Sequence, residues 1–505
     1  MSLEAALLTA RSGLLQTQRA LTAAANNVAN ADTAGYTRKT AAATAVETGG
    51  VRTLPSTRDV DEALVTELNS RRAAAAGAGL RSDLLSGIEA AHGSPEAGDG
   101  IGDLVAMLRN SFETLLADPS QAGLQGAAVV AAQDLAGRLN EVARAIGTTR
   151  QRAQDTIVAE VSSINAGLRD IAALTLRIRE QIALTGEAAA LEDQRDLAIA
   201  TLSESIEVKA LKREDGGLVL VARNGLVLPL DPNKDAFSTA EATLDPSSFH
   251  GSGGTIPAIT LNGQDVTGRL IGGRLAEAVA LRDQTLPRYQ AELDLTAATL
   301  ATRFDAQGLT LFTDPAGAVP DSSVPYAGSA MIGFAGRITV NAAVATNPSL
   351  MRDGTRAVTA DPSGAADFTP NAPGGPASFT TLISRIVSQT FGSEAQPGTA
   401  WSAIATGGLG PDGTLSSPFG APATIDGYAG MVTATQTADA AAAESRATSA
   451  RAVVEGLAER FAQRSGVDVD TEMAAMVTLQ NAYAANARVM STVQAMWDTL
   501  LNAVR

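Results

Sequence analysis

Apolar residues recur at helical spacing along both ends of the chain. From Leu3 to Val28 they alternate steps of four and three without a gap, which predicts the seam of a left-handed coiled coil. In residues 469–505 they again recur in steps of three and four, and no glycine or proline interrupts them, which predicts one continuous helix. Two such helices at opposite ends of the sequence predict that the ends meet and that the middle forms a separate body.

A simpler interpretation of such stripes is that each helix docks on one globular core. For a single amphipathic helix this is the more common arrangement. Here both stripes are terminal, and turn-forming residues separate each of them from the body. We therefore favour a separate helical layer made from the two ends.

The composition excludes several classes of function. The 505 residues suggest about three domains. Aromatic residues make up only 4% of the chain, so its apolar content comes mainly from small and aliphatic residues, which favours closely packed helices. A net charge of -16 argues against nucleic-acid binding, and the absence of cysteine excludes disulfides and thiolate ligands.

Helical spacing also dominates the first part of the body. It predicts long helices from Asp59 to about Thr201, with breaks near residues 93–95 and 118–120. Within the last of these stretches we place one helix at 121–146 and a further one at 153–184. This part of the chain is therefore predicted to be a bundle of long helices.

The periodicity changes to that of strands at Ile206. Apolar and polar residues alternate over 206–230, and Asn224-Gly225 between apolar runs predicts a hairpin. Residues 258–266 add another predicted strand. These segments predict a small β-domain inserted in the helical body.

Helical spacing returns from Arg274 to Phe304, with a kink expected near Pro287, and again in 378–391 and 431–465. The predicted fold class is mainly α with a small inserted β-domain, in which paired terminal coiled-coil helices adjoin a long helical-bundle body. The predicted units are residues 1–45 as the N-terminal half of the terminal coiled-coil domain, 46–205 as the first part of the helical body, 206–273 as the inserted β-domain, 274–466 as the second part of the body with loop-rich segments at 314–375 and 392–427, and 467–505 as the C-terminal half of the coiled-coil domain.

Three short segments carry a family resemblance. The first, NNVANADTAGYTR from Asn26 to Arg38, predicts a helix end near Asn30 and a turn at Gly35. It resembles the asparagine-rich signature of the flagellar axial family of rod, hook and hook-associated proteins. The terminal stretch AYAANARVMSTVQAMWDTLLNAV resembles the C-terminal helix of the same family. The third segment, LEDQRD at residues 191–196, is similar to an element of the hook-associated members at the junction between hook and filament.

The resemblance implies a structural subunit, not an enzyme, that needs no cofactor or metal and polymerises through its terminal helices. The implied partners are further copies of the chain, the hook protein, the second hook-filament junction protein and a cytoplasmic export chaperone on the C-terminal helix. It also implies an extracellular place in the bacterial flagellum, reached by type III export without a cleaved signal peptide, and neither a nucleic-acid partner nor a membrane anchor. The predicted assembly interface comprises Leu3, Leu7, Leu14, Leu21, Val28, Asn26, Asn27, Asn30, Gly35, Tyr36, Met473, Met476, Tyr483, Met490, Val493, Trp497, Leu500 and Val504.

Two other functions stay open at this point. A hook or rod axial subunit would share the terminal helices, although the LEDQRD segment and the long body helices disfavour it. A cell-wall-acting enzyme on an axial-protein scaffold would need a catalytic constellation in the loops of residues 314–427, and the sequence shows none there.

The remaining polar residues suggest no chemistry. We expect His92 and His250 to be solvated loop residues, since neither has the neighbours of a zinc site or a catalytic triad. We expect Asp193 and Asp196 to form weak surface ion pairs beside Arg195. Residues 231–242 begin like a calcium loop, but alanines replace the glycine and the bidentate glutamate that such a loop requires.

Overall fold

The computed structural model describes residues 3–47, 49–93 and 98–503. It comprises a terminal layer of two paired helices and a β-hairpin, a long helical body, and a small β insertion. The helices are α1 (Leu3–Ala29), α2 (Glu62–His92), α3 (Ile101–Ala117), α4 (Ala122–Thr185), α5 (Ala189–Ser205), α6 (Gly273–Ala280), α7 (Leu286–Ala306), α8 (Ala342–Thr346), α9 (Leu350–Asp353), α10 (Thr381–Arg385), α11 (Ile425–Ser465) and α12 (Val469–Ala503). The architecture confirms the predicted mainly α fold class with a β insertion.

The strands in the described residues form small antiparallel sheets of two or three strands. Their sheet partners are β1 with β2, β3 with β4 and β5, β6 with β7 and β8, β9 with β10, β11 with β12, and β13 with β14. The bounds are β1 (Lys39–Ala45), β2 (Val51–Arg58), β3 (Val208–Lys212), β4 (Leu218–Ala222), β5 (Val227–Leu228), β6 (Phe237–Ser238), β7 (Thr260–Leu261), β8 (Gln264–Asp265), β9 (Phe312–Thr313), β10 (Thr339–Val340), β11 (Glu394–Gln396), β12 (Thr399–Ala400), β13 (Gly407–Leu409) and β14 (Leu415–Ser416).

The two ends of the chain meet, as their apolar stripes predict. Helices α1 and α12 pack along their lengths in opposite directions, since Gly13 lies beside Asn486 while Leu7 and Val493 line a common groove. The β1–β2 hairpin packs against a second face of α1. This hairpin was not predicted, because the alanines and threonines of its first strand give no strand-like alternation of apolar and polar residues.

Helix α4 is a single helix of 64 residues. The predicted division between 146 and 153 is wrong. Gly147 lies in the interior of α4 without breaking it, because Ile146 and Ala153 on either side continue one buried stripe. A lone glycine costs about 1 kcal/mol in a helix, and the packing of so long a buried face exceeds that cost.

Two apolar cores lie one after the other along α4. The first is built from α2, α3, the N-terminal half of α4, α7, α11 and the loops that cover α7. The second is built from the C-terminal half of α4, α5, α6 and the inserted strands. The helix α4 therefore joins the two cores.

A buried polar layer lies between these cores. Arg282, in a π-helical turn between α6 and α7, is completely buried and donates to the Oε1 of Gln154 at 2.7 Å and to both carboxylate oxygens of Asp283. Arg150 of α4 donates to the backbone oxygens of Arg282 at 2.9 Å and Ser248 at 2.5 Å. These hydrogen bonds satisfy the buried guanidinium groups and fix α4 against the π-helical turn.

Strands β3 to β8 lie in the segment where the periodicity of the sequence changes to that of strands. The Asn224-Gly225 turn joins β4 to β5, and Gly225 has a φ of +82°. The predicted single strand at 258–266 is instead the β7–β8 hairpin, because Asn262 and Gly263 both adopt positive φ and turn the chain between the two strands.

The loop-rich segments at 314–375 and 392–427 cover α7 with buried side chains, including Phe334 and Leu409. The predicted helix at 378–391 is α10 followed by a π-helical turn, and α11 begins at Ile425, six residues before the predicted start.

Among the described residues, no helix has the length and apolarity required to cross a bilayer, and no cluster of acidic or histidine side chains has the arrangement of a metal site.

Candidate assembly surface

The seam between α1 and α12 is made of small residues at its centre and larger ones beside them. On α1, Ala10, Thr17 and Ala24 are buried at successive seven-residue intervals, and on α12 Val493 is buried. The small residues allow close approach of the two helices. The predicted interface residues that are half-buried in this pair are Leu7, Leu14, Leu21, Val28, Met476 and Met490.

Much of the apolar surface of α12 faces solvent. Met473, Tyr483, Trp497 and Leu500 are exposed, although all four belong to the predicted stripe. One partner helix covers only one side of α12, so these side chains receive little cover from the part of the chain that the structure describes. Neighbouring exposed apolar side chains are typical of interaction sites. The side chain of Leu3 and the whole of Val504 lie outside the described residues.

The asparagine-rich segment builds the turn that follows α1. Asn27 is buried, and its side chain donates to the backbone oxygen of Lys39 at 2.9 Å and accepts from its backbone nitrogen at 3.0 Å. The same Asn27 oxygen accepts from the Tyr36 hydroxyl at 3.0 Å. Asn30 donates to the backbone oxygen of Asn26 at 2.9 Å. These side chains are used within the chain, and they direct it from α1 into β1.

Gly35 completes this turn with a φ of +77°, in the left-handed region that favours glycine. A Cβ atom at Gly35 would lie 3.3 Å from the Cβ of Leu197, so the turn rests directly on α5. The segment therefore fixes the end of α1 against the body, which a simple helix cap does not do.

The LEDQRD segment lies in α5 and meets the β-hairpin through buried charges. Asp193 is buried, and its carboxylate accepts from the backbone nitrogen and the hydroxyl of Thr37 at 3.3 and 2.6 Å. It also accepts from Lys39 Nζ at 2.5 Å and from the Arg58 guanidinium at 3.0 Å. The prediction of a weak surface ion pair at this position is therefore wrong.

Arg58 joins this carboxylate to two others. It pairs with Glu192 at 2.9 Å and with Asp196 at 2.8 Å, and Asp196 also pairs with Lys212 at 2.9 Å. Burial by itself would lower the pKa of Arg58, but the carboxylates of Asp196, Glu192 and Asp193 together raise it. We call these residues the junction cluster, which comprises Lys39, Arg58, Glu192, Asp193, Asp196 and Lys212.

A second contact joins α12 to the same turn. The Nε of Arg38 donates to the buried carboxylate of Glu472 at 2.6 Å, and the Arg38 backbone nitrogen donates to the oxygen of Ser465 at 2.9 Å. These bonds place the start of α12 beside the end of α1. The terminal layer thus contacts the body through the junction cluster, the Gly35 turn and the end of α11.

Three family models match separate parts of the chain. The model described as the helical domain of the flagellar hook-associated protein FlgK matches residues 85–317, which span both cores. A model for flagella basal body rod proteins matches residues 7–37, and one for the C-terminal region of flagellar basal body rod FlgEFG proteins matches residues 458–503. The chain is similar to the flagellar hook-associated protein 1 family over its helical body and to flagellar rod proteins at both ends.

Relatives in this family are distant in sequence. Flagellar hook-associated protein 1 of Escherichia coli (strain K12) is 23% identical over 553 residues, which covers 98% of each chain. The protein of that name from Bacillus subtilis (strain 168) is 26% identical over 249 residues, covering 46% of this chain and 49% of the relative. The solved flagellar hook junction protein FlgK from Burkholderia pseudomallei is 24% identical, with a TM-score of 0.41 over 49% of this chain and 46% of that one.

The two histidines lie in different surroundings. His92, expected in solvent, is instead buried at the end of α2, and its Nε2 lies 2.8 Å from the Gln436 Oε1. Burial lowers its pKa, so the ring is neutral at pH 7. His250 lies 3.2 Å from Asp265 in the β insertion. The two rings belong to separate parts of the fold.

Some residues of the terminal layer were missed by sequence reasoning. Leu8 and Leu15 are more than half exposed on the face of α1 that neither α12 nor the hairpin covers. Their positions, seven residues apart and off the main seam, are the signal that could have identified them. Lys39 and Arg58 were missed because their carboxylate partners lie more than 130 residues further along the sequence.

Proposed function

We propose that this chain is a structural subunit of the bacterial flagellum that forms the junction between hook and filament. It polymerises through the α1–α12 pair, and the helical body lies outside the polymerising layer. The observation that carries this proposal is the combination of the FlgK helical-domain match over 85–317 with an exposed apolar surface on α12.

The packing of the terminal pair supports polymerisation. Burying each large apolar side chain contributes about 1.5 to 3 kcal/mol, and α12 leaves four such side chains of its stripe in solvent. Contact with further copies removes this surface from water without any change in the body. The contacts between the terminal layer and the body set the direction of the pair relative to α4 and thereby orient the body in the polymer.

We extend the proposal to the partners that the family resemblance implies. These are the hook protein on one side, the second junction protein on the other, and a cytoplasmic chaperone that covers α12 before export. Export proceeds through the flagellar type III channel without a cleaved signal peptide. A hook or rod subunit is the weaker alternative, because the match over the helical body is to the hook-associated family.

Electron microscopy of a strain that lacks the gene for this chain tests the proposal. We expect complete hooks without filaments, and filaments in the culture medium, because the joint between the two structures is missing. Expression of the full chain from a plasmid should restore attached filaments. A strain without hooks would instead indicate a rod or hook subunit, and attached filaments in the deletion strain would contradict the proposal.

A further inference from the structure

Helix α1 has three faces, and one of them is left open by the described part of the chain. Ala10 and Thr17 face α12, while Ser12 and Gln16 face the β-hairpin, where Gln16 donates to the backbone oxygen of Ala41 at 3.0 Å. The third face carries four exposed side chains at helical spacing. We call these four residues the basic stripe, which comprises Leu8, Arg11, Leu15 and Arg19.

The basic stripe combines apolar and positive surface. Leu8 is 58% exposed and Leu15 is 51% exposed. Residues 8–22 contain Arg11 and Arg19 and no acidic residue, so this segment of α1 carries positive charge. Arg19 also lines a groove shared with Arg177 and Glu187 of the body. Such a surface fits a partner with apolar side chains and carboxylates at the same spacing.

The C-terminal part of α12 has these properties. A groove between α12 and the start of α1 has an apolar floor that includes Leu7 and Trp497, and carboxylates of Glu4 and Asp498 at its edge. Within residues 3–503, no lysine or arginine that the structure describes lines this groove. Beside it, Leu501 is 55% exposed. We call the groove together with Leu501 the acidic tip.

Since the proposed function requires that copies of this chain associate, we infer that the acidic tip of one copy docks on the basic stripe of the next. The inference deepens the proposed polymerisation and rests on it. Arg11 and Leu15 are separated by about one helical turn, as are Asp498 and Leu501. A parallel alignment of the two segments therefore places Arg11 opposite Asp498 and Leu15 opposite Leu501.

Charge also determines the symmetry of this contact. Two basic stripes facing each other would repel, and so would two acidic tips, so neither surface pairs with itself. The contact joins two different surfaces of the same chain, and contacts of that kind build rings or open helical arrays instead of closed dimers. An open helical array is the form that an axial structure requires.

Cysteine cross-linking tests the contact directly, because the natural chain has no cysteine. Full-length Leu15→Cys and Leu501→Cys chains are mixed in equal amounts, allowed to assemble, and oxidised, and the linked peptides are identified by mass spectrometry. The matched control replaces Leu15→Cys with Val227→Cys, whose site in β5 is 59% exposed. We expect cross-linking at least about tenfold above this control.

The outcomes separate this inference from the proposed function. Assembly without a Leu15–Leu501 cross-link above the control overturns the inference and leaves polymerisation standing. A wild-type chain that forms no larger species in sedimentation velocity overturns polymerisation and this inference with it.

A charge exchange provides a second test that does not depend on cysteine geometry. We expect Arg11→Glu to weaken assembly about tenfold, because it brings like charges together at the contact. The double variant Arg11→Glu with Asp498→Arg should recover assembly, as measured by sedimentation velocity. An equal defect in the single and double variants contradicts the pairing, and unchanged circular dichroism of the single variant excludes misfolding as the cause.

Discussion

At the scale of single residues, the interior of this chain is notable for buried charge held by backbone groups. Asp294 in α7 is completely buried, and its carboxylate accepts from the backbone nitrogens of Gly333 and Ala335 at 2.7 and 2.8 Å. It also accepts from the Tyr326 hydroxyl at 2.7 Å and the Gln290 amide at 2.9 Å. Three of these hydrogen bonds, from Tyr326, Gly333 and Ala335, fix the loop of 326–335 to α7.

Asp294→Asn should change how stability depends on pH. Burial raises the pKa of Asp294 to about 6 from 3.8, while its hydrogen bonds lower it by less. The native carboxyl thus holds its proton more tightly than the unfolded one, so its contribution to stability is present below pH 4 and is lost as the pH rises through about 6. Between pH 4.5 and 7.5 the wild type should lose about 2 kcal/mol relative to the variant.

Urea unfolding at a series of pH values measures this difference. The control is Asp134→Asn, at an exposed position of α4, which should show the same pH dependence as the wild type. A constant difference between wild type and Asp294→Asn at every pH would contradict the expected titration.

Asp193→Asn should loosen the contact between the terminal layer and the body. The change removes the carboxylate charge paired with Lys39 and one of the three paired with Arg58, and breaking a buried ion pair from one side costs about 3 kcal/mol. We expect faster amide hydrogen exchange in β1 and β2, with unchanged exchange in α3, which packs in the other core. Asp170→Asn, exposed on α4, is the control, and equal exchange in both variants would show that the junction cluster does not hold the hairpin.

Single residues were the least predictable part of the molecule. Asp193 and Asp196 lie in a polar helix of low amphipathicity, and nothing local distinguishes a buried carboxylate from a solvated one until its partners in β1 and β2 are known. His92 was misplaced for the same reason, since its partner Gln436 lies 344 residues away. Gly35 was predictable, because a turn with positive φ has a local sequence requirement.

At the scale of elements, the terminal pair is attached to the body at few places. Helix α12 packs mainly against α1, and its residues contribute to neither apolar core. The pair can therefore be altered without removing any side chain from the interior of the body.

Truncation after Asp470 should abolish incorporation into flagella and leave the melting of the body nearly unchanged. The truncation removes α12 and its cover on the α1 seam, together with the Glu472 partner of Arg38. Electron microscopy of the complemented deletion strain measures incorporation, and calorimetry of the purified chain measures melting. Loss of cooperative unfolding in the body would show that α12 belongs to the body core.

The elements themselves were largely predictable from periodicity. Helices α1, α3 and α12 are long or strongly amphipathic, and each lies where its apolar spacing places it. The errors arose where spacing conflicts with a breaker or is absent. The predicted break between residues 146 and 153 does not occur, because tertiary packing continues α4 through Gly147, and the Ala-rich β1 strand carries no alternation at all.

At the scale of the whole molecule, the two cores depend on one another through α4. The polar layer of Arg150, Gln154 and Arg282 separates their apolar contents, but α4 passes through it without a break. We therefore expect both cores to unfold in a single transition.

Gly147→Pro should divide that transition into two. Proline in a helix interior costs about 3 kcal/mol and interrupts the hydrogen bonding of α4 about three helical turns before the second core begins at Ile157. Gly147→Ala is the matched control and should stabilise the chain by about 1 kcal/mol, because position 147 is exposed and the added methyl group would meet no described atom within 4 Å. Differential scanning calorimetry separates the outcomes, and a single transition in Gly147→Pro would show that contacts other than α4 couple the cores.

The length of α4 has a mechanical consequence. At about 1.5 Å per residue its 64 residues form a helix of roughly 95 Å, which is buried in two separate cores along its length. Its C-terminal end adjoins the β-hairpin, where Gly186 approaches Pro55. Bending α4 requires its side chains to leave both apolar cores. A torque applied at the hairpin is therefore expected to rotate the whole helix instead of bending it.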